Sequence, residues 1–393
     1  MTRGRRHIGV AERRARLALR HRLAGTARAA TPEEVADSLV ALHGSDPATV
    51  HLAVAARLAE PAKAIAETER ALYEDRTLVR MHGMRHTVFV FPSGLTAVVH
   101  ASTGLTVAAR ERAALLRDMA VAGAPDAAWL ADVEEATLAA LARRGQATAA
   151  ELAVDEPRLR EQFVHAAGKS YEGVHTVSSR LLRVLGVEGK VVRGRPLGSW
   201  TSGRFRWAPA PAHPAMDVAG AQAALLRRWL RACGPATEAD LKWWTGWRVT
   251  EVRGALAAIG AEEVALDEGT GYVADGDTEP VAAPEEPWAA LLPALDPTAM
   301  GWRHRDWYLD PVLRPLLFDR SGNVGPTVWW NGRVVGGWAQ RPDGGIVWRI
   351  PEAGVRREAA ASVEAEAGQL RALLGATRVT PRFRTPLERE LTA

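Results

Sequence analysis

Apolar positions recur every three to four residues through most of the first 75 residues, the spacing of helices that bury one face. The pattern predicts helices over about 10–24, 32–43, 47–58 and 62–74. In TPEEVADSLVAL, Thr31 is placed to cap and Pro32 suits the first helical position. Glu34 completes a capping box, and Val35, Leu39, Val40 and Leu42 form the apolar face. Gly44 is expected to end that helix, and Asp46-Pro47 to open the next, with Asp46 as N-cap and Pro47 first. TLVRMHGMRHTVFVFP then alternates like a pair of strands around Gly83.

From about 129 a plan appears and then repeats. WLADVEEATLAALARRG reads as an amphipathic helix, QATAAELA as a short second one with Thr148 as cap, and LREQFVHAAGKSYEGVHTVSSRLLRVLGVEG as longer helical material. KVVRGRPLGSWTSGRFRWAPA follows as a hairpin. The order recurs in AQAALLRRWLRACG, TEADLKWWTG (capped by Thr237), RVTEVRGALAAIG (capped by Thr250) and AEEVALDEGTGYVAD, and ARRGQATAAELA echoes RACGPATEADLK. Helix, short helix, helix, hairpin is the order of a winged helix, and the N-terminal 100 residues read as a more diverged copy. Beyond about 285 short apolar runs alternate with Gly, Asn and Pro. Asn331-Gly332 is a strong hairpin signal, and VRREAAASVEAEAGQLRALLG a closing helix. The expected fold is α+β and mainly helical, with three tandem winged-helix domains (1–125, 126–215, 216–284) and a small C-terminal antiparallel β-barrel (285–393).

A chain of 393 residues is too long for one core. No apolar run approaches the roughly 18 residues of a membrane span. The N-terminus lacks the apolar core of a signal peptide. Cys233 is the only cysteine, which excludes an intramolecular disulfide and argues against a structural zinc cluster. A cytoplasmic, bacterial-type protein is expected. The net charge is only +4, yet residues 1–28 carry nine arginines (Arg3, Arg5, Arg6, Arg13, Arg14, Arg16, Arg20, Arg22, Arg28) against one acid, Glu12. Such an arm suits a phosphate backbone. With four lysines in the chain, the preference for Arg is compositional; the missing acids are not.

LHGSDP, LVRMHGMRHT, RLLRVLGVEGKVVRGRPLGSWTSGRFRWAP, GPATEADLKWWTG and LLPALDP…WWNGRVVGGW together resemble the bacterial winged-helix DNA-binding family that includes the AlkZ and YcaQ type DNA glycosylases. The resemblance covers about 10–385. It implies monofunctional excision of N7-alkylated purines from duplex DNA, including bulky adducts and crosslinks, without metal or cofactor. The motif of those enzymes, Gln-x-Gln or Gln-x-Asp, falls on LHGSDP, where His43 and Ser45 take the polar positions and Asp46 follows. No glutamine is present.

Three stretches carry candidate chemistry. A glycosylase stabilises an oxocarbenium-like sugar and delivers water to its anomeric carbon, and a cationic N7-alkylpurine leaves with little acid help. Asp46 suits the base and electrostatic partner, with His43 or Ser45 orienting the water; the alternative is a turn in which Asp46 is only an N-cap. In LVRMHGMRHT, Arg80, Arg85 and Thr87 match the family's Arg…Met-Arg-x-Thr. Strand alternation would put Arg85 and Thr87 on one face, Arg85 holding a phosphate or orienting Asp46, and would keep His82 and His86 apart. In RGRPLGSWTSGRFRW, Arg193, Arg195, Arg204 and Arg206 alternate with Trp200, Phe205 and Trp207. Ser199, Thr201 and Ser202 add hydroxyls for phosphate contact; the alternative makes the tryptophans core and the arginines solvated. Trp243, Trp244 and Trp247 read as core, Asp296 as a turn cap or DNA contact, and residues 332–337 lack the Gly-Lys-Ser/Thr of a phosphate loop. The expected partner is double-stranded DNA bearing alkylation, the expected state a monomer. The rival reading is a non-enzymatic DNA binder or regulator, which would usually be dimeric.

Overall fold

The computed structural model describes residues 5–121, 126–166, 168 and 172–393. About half of the chain is helical, and the paired strands described run antiparallel. The N-terminal helices are Val10–Arg20, Pro32–Ser38, Pro47–Ala55 and Ala64–Tyr73. Thr31 caps the second through Glu34 N–H, but that helix stops at Ser38 and does not reach Leu42. Val40 takes a φ of 66°, the chain reverses, and Leu42–His43 becomes a short strand against Val90 and Phe89. Leu42 therefore satisfies its apolar character in a sheet. Leu78–His82 pairs the other side of Val88–Pro92, giving a three-stranded sheet at the end of the candidate motif.

In the second segment, the helix Ala127–Arg144 is followed by Ala149–Asp155, which Thr148 and Glu151 cap reciprocally. The stretch read as continuous helix contains a strand pair, Gln162–His165 with Gly173–Thr176, before the helix Val177–Val187; Phe163 enters the core from it. The hairpin Val191–Pro196/Phe205–Pro209 completes the segment. Leu130, Leu141, Leu152, Leu181, Leu185 and Trp207 form its own core.

The third segment comprises Val218–Cys233, Glu238–Thr245, Val249–Ala258 and the hairpin Glu262–Leu266/Gly269–Val273. Thr237 and Asp240 form its capping box, whereas Arg248, not Thr250, is the N-cap of its third helix. Its hairpin packs Val264, Leu266 and Val273 on Ile8, but its helices have no separate centre. Leu17, Phe91, Trp229, Trp244, Trp302 and Trp329 belong to one hydrophobic cluster that joins the first, third and C-terminal segments.

The C-terminal barrel expected from the sequence is instead an open four-stranded sheet, Ala289–Leu292, Thr327–Trp330, Arg333–Gln340 and Ile346–Arg349 in that order. Asn331 and Gly332, with φ of 46° and 80°, make the predicted turn. The helix Ala353–Leu374 packs against the outer strands and buries Val355, Ala359, Val363 and Ala367, one every fourth residue. It covers the apolar surface that barrel closure would otherwise have to bury.

The basic arm also differs from expectation. Arg16 bonds Glu12 at 2.9 Å and Asp277 at 3.0 Å, Arg20 bonds Asp277, Arg13 bonds Glu268, and Arg5 pairs with Glu263. Arg13 and Arg16 are 2% and 1% exposed. The acids absent from residues 1–28 are supplied by residues 263–277, so the buried Arg13 and Arg16 clamp the first segment to the third and are not free for a phosphate backbone, whereas Arg5 stays at the surface. Arg3 lies outside the described residues.

Candidate active site

The HGSD motif sits where the short strand meets the helix Pro47–Ala55. Gly44 N–H donates to Val88 O at 2.8 Å, and a Cβ there would meet Val88 O and the Phe89 carbonyl carbon at 3.3 Å, so the motif lies tight against the sheet. Asp46 is the N-cap, as expected, its Oδ1 accepting from Ala48 N–H at 3.1 Å. Its Oδ2 accepts from Arg382 N–H at 2.9 Å. The Arg382 guanidinium donates to Ser45 O at 3.4 Å, so the C-terminal segment ties the motif from outside. Asp46 is 5% exposed and Ser45 half-buried.

His43 packs edge-on against Phe89 with ring centroids 5.3 Å apart. Burial, and secondarily the charge of Arg85, bring its imidazole down to about 4, so it is neutral at pH 7. Ser45 N–H donates to Nδ1 at 3.4 Å, which assigns the ring proton to Nε2. The motif thus holds a neutral imidazole with one N–H to offer and, three residues on, a carboxyl group whose two oxygens each already accept one backbone N–H.

Arg85 and Thr87 are not on a strand. Met84–His86 is a tight 3₁₀ turn closed by Gly83 N–H to Thr87 O at 2.8 Å, with Arg85 and His86 at φ of 54° and 59°. These left-handed backbones are strained for non-glycine residues. A Cβ at Gly83 would lie 2.8 Å from the Phe91 ring, so this position admits only glycine. The turn sends Arg85 onto the Trp243 ring at 4.2 Å, with Arg305 over the same ring at 5.0 Å. Arg85 does not bond Asp46; Arg382 holds that place. The turn also brings His82 and His86 to 5.2 Å, contrary to the strand expectation. His86 lies 3.2 Å from Glu111, and hydrogen bonding to His86 holds the Glu111 carboxyl down to about 2. Among the described residues no three His, Cys, Asp or Glu side chains are grouped to hold a metal.

Register pairs Leu42 with Val90 and Val90 with Arg80, which puts Arg80 on the sheet face opposite His43 and Phe89. On Arg80's side lie His51, fully buried, and His82; burial brings each imidazole down to about 3, with Arg80 the secondary cause for His51 and Arg193 for His82. Trp200, from the hairpin loop of the second segment, reaches the His51 ring at 5.1 Å and joins the apolar cluster of Ala48, Leu52 and Trp338. The loop therefore rests on the helix that Asp46 begins. Its hydroxyls partly bond one another: Ser199 with Thr201 at 2.7 Å, and Ser202 Oγ accepting Arg204 N–H at 3.2 Å. Arg195 meets Glu74 at 3.0 Å, whereas Arg204 is exposed and Arg206 half-buried, neither in a salt bridge among the described residues. Trp207 is core, and so is Trp200, though in a different cluster.

Sequence reasoning missed Arg382, 336 positions from Asp46, and the fully buried Arg57–Asp296 pair at 2.7 Å. LDP did flag Asp296 as a turn cap, which it is, accepting Thr298 N–H at 2.9 Å, but nothing local pointed to Arg57. The Asp296 carboxylate takes both Arg57 Nη atoms as well. No local signal links either pair.

Three comparisons bear on the chain as a whole. No curated protein matches it. Among solved structures, the DNA glycosylase AlkZ of Streptomyces sahachiroi is similar, with a TM-score of 0.67 and 20% sequence identity over 94% of this chain and 98% of that one. The family described as DNA glycosylase AlkZ-like matches residues 36–373, which include the HGSD motif, the strained turn and the hairpin loop but stop short of Arg382. Since that match spans most of the 393 residues, the chain belongs to the AlkZ-like family of DNA glycosylases.

Proposed function

We propose that this glycosylase hydrolyses the N-glycosidic bond of N7-alkylated purines in duplex DNA, with the HGSD motif as its catalytic centre. The observation that carries the reading is the state of His43: neutral, with Nδ1 engaged by Ser45 and its N–H on Nε2. Such a ring donates to a water oxygen without placing a second positive charge beside a cationic base and an oxocarbenium-like sugar. Asp46 takes a proton from that water through a remaining lone pair and faces the developing sugar charge, and Ser45 orients the same water. An alkylated purine carries its own positive charge, so no strong general acid is needed. The reaction is written without metal or cofactor.

DNA contacts fall to Arg80, Arg85, Thr87, Arg193, Arg195, Ser199, Thr201, Ser202, Arg204 and Arg206. Each helix–helix–helix–hairpin segment is read as a winged helix, with boundaries at about 125, 215 and 284, in a monomeric, cytoplasmic protein. The test is incubation with a duplex carrying N7-methylguanine and with the unmodified duplex, following free base by chromatography. Release of 7-methylguanine alone supports the substrate; release of neither, or of unmodified guanine equally, contradicts it.

A second reading, a DNA binder that has lost catalysis, is favoured by one observation. Both Asp46 oxygens accept backbone N–H groups, a role that structure alone explains, in a motif without glutamine. It predicts binding to methylated duplex with no base release.

A further inference from the structure

A cavity of about 390 Å³ opens between the strand Leu78–His82 and the hairpin of the second segment. Arg76, Arg80, Arg193 and Arg195 are its charged lining. Arg195 has its acids, Glu74 at 3.0 Å and Glu69 at 3.6 Å. Arg80 and Arg193 have none among the described residues. Arg80 is 7% exposed, and its Nε and Nη2 are buried without a hydrogen-bond partner. Arg193 Nε is in the same condition, with its guanidinium over the Phe205 ring at 4.5 Å. Tyr73, also on the cavity wall, has a buried hydroxyl with no partner. Burial, and after it the charges of Arg80, Arg382 and Arg183, bring Arg193 down to about 10.

A buried cation without a counter-charge, as Arg80 is, is strongly unfavourable, and the half-buried Arg193 in its field makes it worse. The elements packed here, the strands and the helix Ala64–Tyr73, offer no free carboxylate to Arg80 or Arg193, since Glu69 and Glu74 face Arg195. The charge that balances them must come from outside, and planar guanidiniums match phosphate oxygens. The remaining wall is mixed: Leu72, Leu78, Val79, Val192 and Ala208 give an apolar surface for a flat ring, and Ser93, Thr96 and Gln146 add polar groups at its edge. The arginines repel a cationic alkylpurine, so this is not the pocket of the damaged base.

We propose that this cavity binds one nucleotide unit, its phosphate between Arg80 and Arg193 and its ring against the apolar wall. The anion requirement stands by itself; the choice of a nucleotide over another aryl phosphate rests on the DNA reading above. The nucleotide can belong to the DNA strand or be free, and the same chemistry serves both.

Calorimetric titration of the full chain with 2′-deoxyguanosine 5′-monophosphate, deoxyguanosine and inorganic phosphate tests this without any base excision. The monophosphate should bind, with inorganic phosphate weaker and the nucleoside weaker still. Arg193→Gln and Arg80→Gln should each weaken the monophosphate by about tenfold or more, the loss of one charged hydrogen bond. Ala97→Phe, which adds bulk to the cavity wall from a half-buried position and leaves every arginine in the sequence, should abolish binding while circular dichroism and melting stay as in wild type. If a duplex displaces the monophosphate the unit belongs to DNA; if both bind together it is a free nucleotide. Equal binding of nucleoside and monophosphate, no binding to the folded wild type, or undiminished binding by a folded Ala97→Phe would overturn the proposal. Failure to release an alkylated base would count against the glycosidic reading alone.

Discussion

At the scale of single residues, the chain's pH behaviour follows from its buried imidazoles. His21, His43, His51 and His82 are all brought down by burial first, to about 3, 4, 3 and 3, from the usual 6.5. Because the folded values lie below the unfolded one, the unfolded chain takes up protons first on acidification. The stability these residues support is complete above pH 6.5 and is lost as pH falls, towards 4 for His43 and towards 3 for His21, His51 and His82. Each contributes a decline of about 1.4 kcal/mol per pH unit across that window. Thermal melting should therefore shift markedly downward between pH 7 and pH 5 and change little between 7 and 8; a flat melting temperature down to pH 5 would show that the rings are not held neutral. None of this was legible beforehand. A histidine in a one-dimensional pattern does not show whether a sheet and a tryptophan will enclose it, as Phe89 does His43 and Trp200 does His51.

At the scale of elements, two sets of arginines that look alike in sequence separate by what surrounds them. Arg16 is 1% exposed and bonds Glu12, Asp277 and the Glu279 carbonyl. Arg16→Gln should destabilise the fold by about 1–3 kcal/mol through the lost charged hydrogen bonds to Glu12, Asp277 and the Glu279 carbonyl, Arg6 and Arg20 still pairing with the two acids, and should leave the salt dependence of DNA binding unchanged. The double substitution Arg204→Gln/Arg206→Gln should do the reverse, leaving melting nearly untouched and lowering the slope of log K against log salt by about 2. Urea titration and binding at several salt concentrations read the two effects; a changed salt slope for Arg16→Gln would restore the basic arm as a DNA contact. Capping grammar was largely legible: Thr31, Asp46, Thr148 and Thr237 cap their helices, although Glu34 accepts from Ala30 N–H and not Thr31, and Arg248 takes the place expected of Thr250. Local grammar failed where tertiary packing overrode it. Leu42 left its helix for a sheet, and Arg85 and His86 were forced into left-handed backbone by a turn that alternation does not encode.

At the scale of the whole molecule, the repeat was visible because caps and hairpins recur at corresponding places, but the sharing of cores was not. The second segment closes its own core and the first keeps one around Val35, Leu39, Val54 and Val90, while other parts of the first, third and C-terminal segments converge on a shared one. The fully buried Arg57–Asp296 pair joins that assembly across 239 positions. Asp296→Ala should cost about 3–5 kcal/mol, seen as a lowered urea midpoint, because Arg57 would be left buried and unpaired; a loss below about 1 kcal/mol would mean that water or another acid reaches it. The open sheet shows the same limit: alternation predicted its strands, and only the helix Ala353–Leu374 decides that they do not close into a barrel.

The measurement that bears most directly on the central claim compares wild type with Asp46→Asn on a duplex containing N7-methylguanine, scoring alkali-labile strand scission. Asparagine keeps the Ala48 cap through its carbonyl and loses the bond from Arg382 N–H, so stability should fall by only about 1 kcal/mol, checked by melting. Base release should fall at least about a hundredfold in a protein that remains folded and still binds the duplex. Undiminished release by the folded variant, or none by wild type, would contradict a catalytic role for the HGSD motif.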